Sequence, residues 1–166
     1  MASKPNVIII FADDLGYGDL GCYGSKINQT PTLDKMADEG KKFSNFYVSS
    51  PVCSPSRASL MTGCYPQRIS FGTFDGLRVL FPGQGIGLSN EEKTVAKIFK
   101  ESGYSTKIIG KWHCGDQEEF LPTNHGFDSY FGIPYSNDMG RQVKIKDYIP
   151  NDSSLHKITE WDRPPL

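Results

Sequence analysis

A chain of 166 residues lies within the size range of one domain, and 37% hydrophobic with 22% charged residues is the balance of a soluble globular protein. The 18 basic residues against 19 acidic ones leave a net charge of -1, so no strong electrostatic footprint for nucleic acid or an anionic membrane appears. No apolar run approaches the roughly 20 residues that cross a bilayer, so a membrane span is excluded as well.

Residues 6–12 form a continuous apolar, β-branched run, the pattern of a strand buried on both faces in the parallel part of an α/β sheet. It ends at Asp13-Asp14, followed by Gly16, Gly18 and Gly21, so both carboxylates fall on a loop past the strand's carboxyl end. Ligands bind there in open α/β sheets. Thr30-Pro31 predicts a helix start with an N1 proline, Leu33, Met36 and Ala37 one apolar face, and Gly40 its stop. Residues 43–48 read as a strand. Ser54-Pro55 opens a second helix carrying Ala58, Leu60 and Met61 and ending at Gly63. The span 64–88 is rich in Gly, Phe and Pro without a period, and is expected to be an ordered loop. Ser89 with Glu92 makes a capping box for a third helix, with Val95, Ile98 and Phe99 inward and Gly103 after it. Residues 106–109 read as a strand, and the tail from 141 to 166 shows no clear pattern. Strand, helix, strand, helix is α/β grammar.

The cysteines at 22, 53, 64 and 114 form no C-x-x-C pair, which argues against a zinc ribbon or a thioredoxin-type site. The first six residues pass into the apolar run without a signal segment, so the compartment stays unknown. Sequons at Asn28 and Asn151 matter only in a secreted eukaryotic chain.

Two segments can carry chemistry. Asp13-Asp14 offers two hard oxygen donors for a divalent cation, or else a helix cap or solvated turn. Two ligands do not complete a calcium shell of about six to eight oxygens. Cys53 immediately precedes a helix whose first turn holds Pro55, so it sits at the positive end of the helix dipole, where anions bind, with Arg57 adding charge. The alternative is a small buried hydrophobe before a helix.

The string Cys53-Ser-Pro-Ser-Arg57-Ala-Ser-Leu60-Met-Thr62-Gly63 resembles the type I sulfatase signature C-x-P-S-R-x-x-L-x-T-G at all seven fixed positions. Neighbouring segments agree in order. Residues 6–18 look like the family's first strand and metal loop, and Thr30-Pro31-Thr32-Leu33-Asp34 like the helix start that follows. Gly110-Lys111-Trp112-His113 looks like the second family signature. Gly132-Ile133-Pro134-Tyr135-Ser136-Asn137-Asp138 is similar to a segment of arylsulfatases. The resemblance runs from about residue 6 to 138, leaving 141–166 unassigned.

The resemblance implies an alkaline-phosphatase-like α/β sandwich with a mostly parallel central sheet, and a sulfuric ester hydrolase. Cys53 would be converted to Cα-formylglycine by a formylglycine-generating enzyme, whose motif includes Pro55 and Arg57. One hydroxyl of the hydrated aldehyde would attack sulfur, and the second, on losing its proton, would expel sulfate. Asp13, Asp14 and the modified Cys53 would ligate Ca2+ or Mg2+, a Lewis acid on a sulfate oxygen. Arg57 would hold and polarise the formylglycine. Lys111 would neutralise charge building on sulfate, and His113 would accept the proton of the second hydroxyl. Ser136 would hydrogen-bond near the sulfate. Without the motif, Lys111 and His113 read as solvated loop residues. Two residues apart in an extended segment, they project on one side. Trp112 reads as a packing residue, His125 and His156 match no signature, and Cys22, Cys64 and Cys114 read as structural thiols.

Sulfatases of this type run to several hundred residues, and their later half adds a second metal-binding pair with a further His and Lys. No such string follows Asp138, so the expectation is the N-terminal portion of an arylsulfatase-like enzyme, incomplete as it stands, with unpaired sheet edges. A phosphate or phosphonate monoester hydrolase of the same superfamily, and an inactive anion-binding fragment, are the alternatives. Family members usually act in the periplasm, the lysosome or outside the cell.

Overall fold

The computed structural model describes residues 4–74 and 76–139 and falls into two compact units, Met1–Tyr47 and Val48–Leu166. Asn151, His156 and the tail from 141 lie outside the described residues.

In the first unit, residues 6–12 do not form the predicted strand. Val7, Ile8, Ile9 and Ile10 are all more than half exposed. A strand buried on both faces needs neighbours to pair its backbone and cover its side chains. No described strand of this unit supplies them. Residues 43–48, also expected as a strand, are exposed and unladdered for the same reason.

Helix α1, Pro31–Glu39, matches its punctuation, and Gly40 closes it by donating its N–H to the Met36 carbonyl at 3.0 Å. Thr30 stands at the N-cap, but its hydroxyl does not cap the helix. It accepts the Gly21 N–H at 2.8 Å and donates to Asp34 Oδ1 at 2.9 Å. Asp34 Oδ1 also accepts the Cys22 N–H at 2.7 Å. The first turn of α1 is thereby tied to the 3-10 turn Gly21–Tyr23 by side chains rather than by an apolar face. Leu33 and Met36, expected inward, are exposed.

The second unit holds the core. Strands β1, Lys107–Lys111, and β2, Ser129–Ile133, pair in parallel with Ile109 opposite Phe131 and Gly110 opposite Gly132. The β2 segment is not among the strands expected from the sequence. Its glycine answers a close approach: a Cβ at Gly132 would stand 1.9 Å from the Gly110 carbonyl oxygen. Where the strands begin, the Thr106 N–H donates to Asp128 Oδ2 at 2.8 Å, and Lys100 Nζ lies 2.7 Å from Asp128 Oδ1.

Helix α2, Cys53–Thr62, buries Ser54, Pro55, Ser56, Ala58 and Ser59 and ends at Gly63, whose φ of 69° suits a residue without a side chain. Helix α3, Val95–Glu101, starts later than its predicted box. Ser89 and Glu92 form a separate turn, and the cap is Thr94, which accepts the Lys97 N–H at 3.2 Å. The inward residue is Ala96, while Ile98 is exposed and Val95 and Phe99 are half-buried.

The described residues of the aperiodic span 64–88 supply much of the core. Ile69, Phe71, Phe74, Leu80 and Leu88 pack with Ala58, Trp112 and Cys114. The Phe71 and Phe74 rings meet edge to face at 4.9 Å. No helix among the described residues is long and apolar enough to cross a membrane.

Candidate active site

The site in the second unit is built from the start of α2 and the carboxyl end of β1. Cys53 is the first residue of α2 rather than the residue before it, because extended Val52 serves as N-cap and accepts the Ser56 N–H at 3.2 Å. Cys53 is a half-buried free thiol in the helix's first turn, where backbone N–H groups face outward and the dipole favours an anion.

One turn on, Arg57 Nη1 donates to the Lys111 carbonyl oxygen at 2.6 Å. Lys111 is the last residue of β1 and is half-buried. A charge-assisted bond of this kind fixes the strand end against the helix.

His113 is 1% exposed. Its N–H donates to the Pro134 carbonyl at 3.0 Å and its Nε2 lies 2.8 Å from the Leu80 carbonyl oxygen. A carbonyl only accepts, so Nε2 carries a hydrogen, and in a neutral ring the lone pair then falls on Nδ1. The expected reason for grouping Lys111 with His113 needs correction. β1 ends at Lys111, and His113 has a φ of 58°, so strand alternation does not extend to it. Among the described residues, Asp14, Ser70 and His113 are the non-glycine residues with left-handed backbone. Two of these three are site candidates, and such strain concentrates where function fixes a side chain.

Trp112 packs as expected. It is buried, and its Nε1 donates to the Phe120 carbonyl at 2.8 Å. Ser136 is also buried, two residues past the carbonyl that accepts from the His113 backbone, and its own carbonyl accepts the Met139 N–H at 3.2 Å. A small cleft beside His113 is lined by Leu80, Phe81, Ile86, Asp116 and Tyr135.

Asp13 and Asp14 belong to the first unit, on the bend after residues 4–12, with Asp14 at a φ of 55°. Adjacent exposed carboxylates are hard oxygen donors suited to Ca2+ or Mg2+, and they account for part of a shell of about six to eight oxygens. Among the described residues, no group of three or more His, Cys, Asp or Glu side chains converges as a metal site. Cys22, Cys64 and Cys114 are free thiols, and burial pushes the Cys114 thiol well up. His125, read from sequence as surface or core, is fully buried, and that burial lowers its pKa to about 4. The sequence marks Ser54 only as a helix start and does not mark Leu80: Ser54 occupies a free position of the signature, and Leu80 lies in an aperiodic span and meets His113 through its carbonyl.

The sequence model of the Sulfatase family matches residues 5–164. The chain belongs to the sulfatase family. It is 50% identical to human (Homo sapiens) arylsulfatase A over 152 residues, covering 90% of this chain and 29% of the relative. It is 44% identical to N-acetylgalactosamine-6-sulfatase of Rattus norvegicus over 149 residues, covering 88% of this chain and 28% of the relative. The crystal structure of Ps i-CgsB matches with a TM-score of 0.76 and 40% identity, over 88% of this chain and 31% of that one. The chain thus spans a little under a third of the length of these relatives. Its fold is the family's alkaline-phosphatase-like α/β one, to which the parallel pair β1–β2 and the helices belong.

Proposed function

We propose that residues 1–166 are the N-terminal part of a sulfatase catalytic domain and carry the nucleophile side of a site that hydrolyses sulfate monoesters. The observation that carries this reading is the bond from Arg57 to the Lys111 carbonyl, which couples the two signature segments. A formylglycine at Cys53, once hydrated by water to its diol, would supply a hydroxyl nucleophile and a second hydroxyl whose deprotonation re-forms the aldehyde and frees sulfate.

The remaining roles fall to the chain's own groups. The outward N–H groups of α2 favour the sulfate oxygens, and Arg57 holds the residue at position 53 against the strand end. Lys111 offsets negative charge as it grows on the ester. His113 takes a proton at Nδ1, the nitrogen that its Leu80 contact leaves with a lone pair. Ser136 hydrogen-bonds the sulfate. Asp13 and Asp14 would hold Ca2+ or Mg2+, which supplies Lewis-acid polarisation of a sulfate oxygen.

The test is peptide mass spectrometry after co-expression with a formylglycine-generating enzyme. Conversion lowers the mass of the Cys53 peptide by roughly 18 Da, given a thiol as the starting group. Hydrolysis of 4-nitrophenyl sulfate against 4-nitrophenyl phosphate by the modified protein, completed with the remaining part of the catalytic domain, then separates ester classes. An unmodified Cys53, or a preference for phosphate, would overturn the reading.

A further inference from the structure

We propose that Ser54 is a positioning residue for His113, acting through the Leu80 backbone. The inference rests on the reading of His113 as the proton acceptor. Ser54 is the second residue of α2 and has no exposed surface. Its Oγ accepts the Leu80 N–H at 3.0 Å, and the Leu80 carbonyl accepts from His113 Nε2 at 2.8 Å. The Leu80 N–H and C=O lie on either side of its Cα, and its side chain is packed in the core at 3% exposure. The residue is therefore held at three points, and the direction of its carbonyl is set.

The device has a chemical consequence. A carbonyl aimed at Nε2 admits only the tautomer with hydrogen on that nitrogen, so Nδ1 is the base. The supporting residue comes from a rigid helix rather than from the loop itself. The same helix fixes the Lys111 carbonyl through Arg57, so α2 sets both members of the Lys111–His113 pair from its first two turns. Remove the Ser54 hydroxyl and the buried Leu80 N–H loses its acceptor. The loop must then move to satisfy it, and the carbonyl that orients the imidazole moves too.

The experiment is long-range proton–nitrogen NMR of the histidine-labelled 166-residue chain, comparing wild type, Ser54→Ala and Ser54→Thr. Wild type is expected to show His113 as the Nε2–H tautomer with a slowly exchanging ring N–H. Ser54→Ala is expected to lose that signal and shift both nitrogen resonances toward a tautomer mixture, and Ser54→Thr, which keeps the hydroxyl, to restore the wild-type pattern. An Nδ1–H tautomer in wild type would overturn the proposal even if Ser54→Ala failed to fold. So would an unchanged His113 signal in folded Ser54→Ala, or its loss in folded Ser54→Thr. In the formylglycine-bearing protein completed with the remaining part of the catalytic domain, Ser54→Ala should lower kcat by up to on the order of 100-fold, the cost of a misplaced catalytic group, with KM little changed. If the tautomer is released while kcat stays the same, the positioning stands and His113's assignment as proton acceptor fails instead.

Discussion

Acidification should destabilise the second unit through one buried side chain, His125. It ends the 3-10 turn Pro122–His125, has no exposed surface, and its ring centre is 5.6 Å from that of Trp112. Among the described residues, neither ring nitrogen finds a hydrogen-bond partner. Desolvation, with a smaller contribution from the Lys97 charge, lowers its pKa from 6.5 to about 4. Between those values the unfolded chain binds a proton that the folded chain refuses. The stabilisation is therefore complete above the unfolded pKa, declines as pH falls, and levels off below about 4. Linkage gives a loss of about 2 kcal/mol at pH 5 and about 3 kcal/mol at pH 4. These are upper bounds, because water reaching the ring would screen its charge. Urea unfolding followed by circular dichroism at pH 7 and pH 5 reads the loss as a midpoint shift of about 1 M. His125→Phe keeps an aromatic ring beside Trp112 and removes both unpaired polar atoms, so at pH 7 it should be at least as stable as wild type. Its additional loss at pH 5 should be absent. Parallel losses in wild type and variant would refute the desolvation argument.

Two further substitutions probe the frame that holds the site. Gly132→Ala places a methyl 1.9 Å from the Gly110 oxygen, a backbone atom that cannot yield, and should cost about 3 kcal/mol or more by thermal unfolding. Wild-type stability in that variant would show that the strands are not in this register. Thr94→Ala removes the cap of α3 and the hydroxyl that donates to the His125 carbonyl. The cap contributes about 1 kcal/mol and an orphaned buried carbonyl about 1–3 kcal/mol, so the urea midpoint should fall by the equivalent of about 2–4 kcal/mol. Thr94→Ser should recover most of it, and a neutral Thr94→Ala would refute the assignment of Thr94 as a double anchor.

Local grammar was legible where a residue's own backbone preference decides the outcome. Pro31 and Gly40 bound α1, Gly63 stops α2, and β1 lies within two residues of its predicted span. It failed where a partner decides. The run 6–12 has strand composition, but the ladder and the cover that make a strand come from other segments. β2 was invisible for the converse reason: Gly132 weakens its pattern, yet the Gly110 backbone requires that glycine. The cap of α3 was misplaced because Ser89 offers the same hydroxyl chemistry as Thr94, and only the buried His125 carbonyl distinguishes them. Core residues Phe71, Phe74 and Leu80 lie in a span without a period, so no periodicity could mark them as inward. Motif residues such as Cys53, Arg57, Lys111 and His113 could be named through the resemblance. Ser54 and Leu80 could not, because one is a free position of the motif and the other contributes no side-chain chemistry.

The run Lys111-Trp112-His113 places a core anchor between two polar groups. Trp112 is nearly inaccessible, packs among Leu80, Leu88 and Cys114, and has its indole N–H satisfied by Phe120. A residue fixed that firmly leaves its neighbours little backbone freedom, and each is fastened again by a different element. Lys111 is held at its carbonyl by Arg57, and His113 at its N–H by Pro134 and at its ring by Leu80. The left-handed backbone at His113 follows from satisfying all of these at once, since a further residue of extended chain would continue the strand direction instead. The strain at His113 is thus borne by a buried tryptophan and two backbone carbonyls. Its side chain can then be set by the core rather than by a mobile loop, which is what the proposed role of proton acceptor would require.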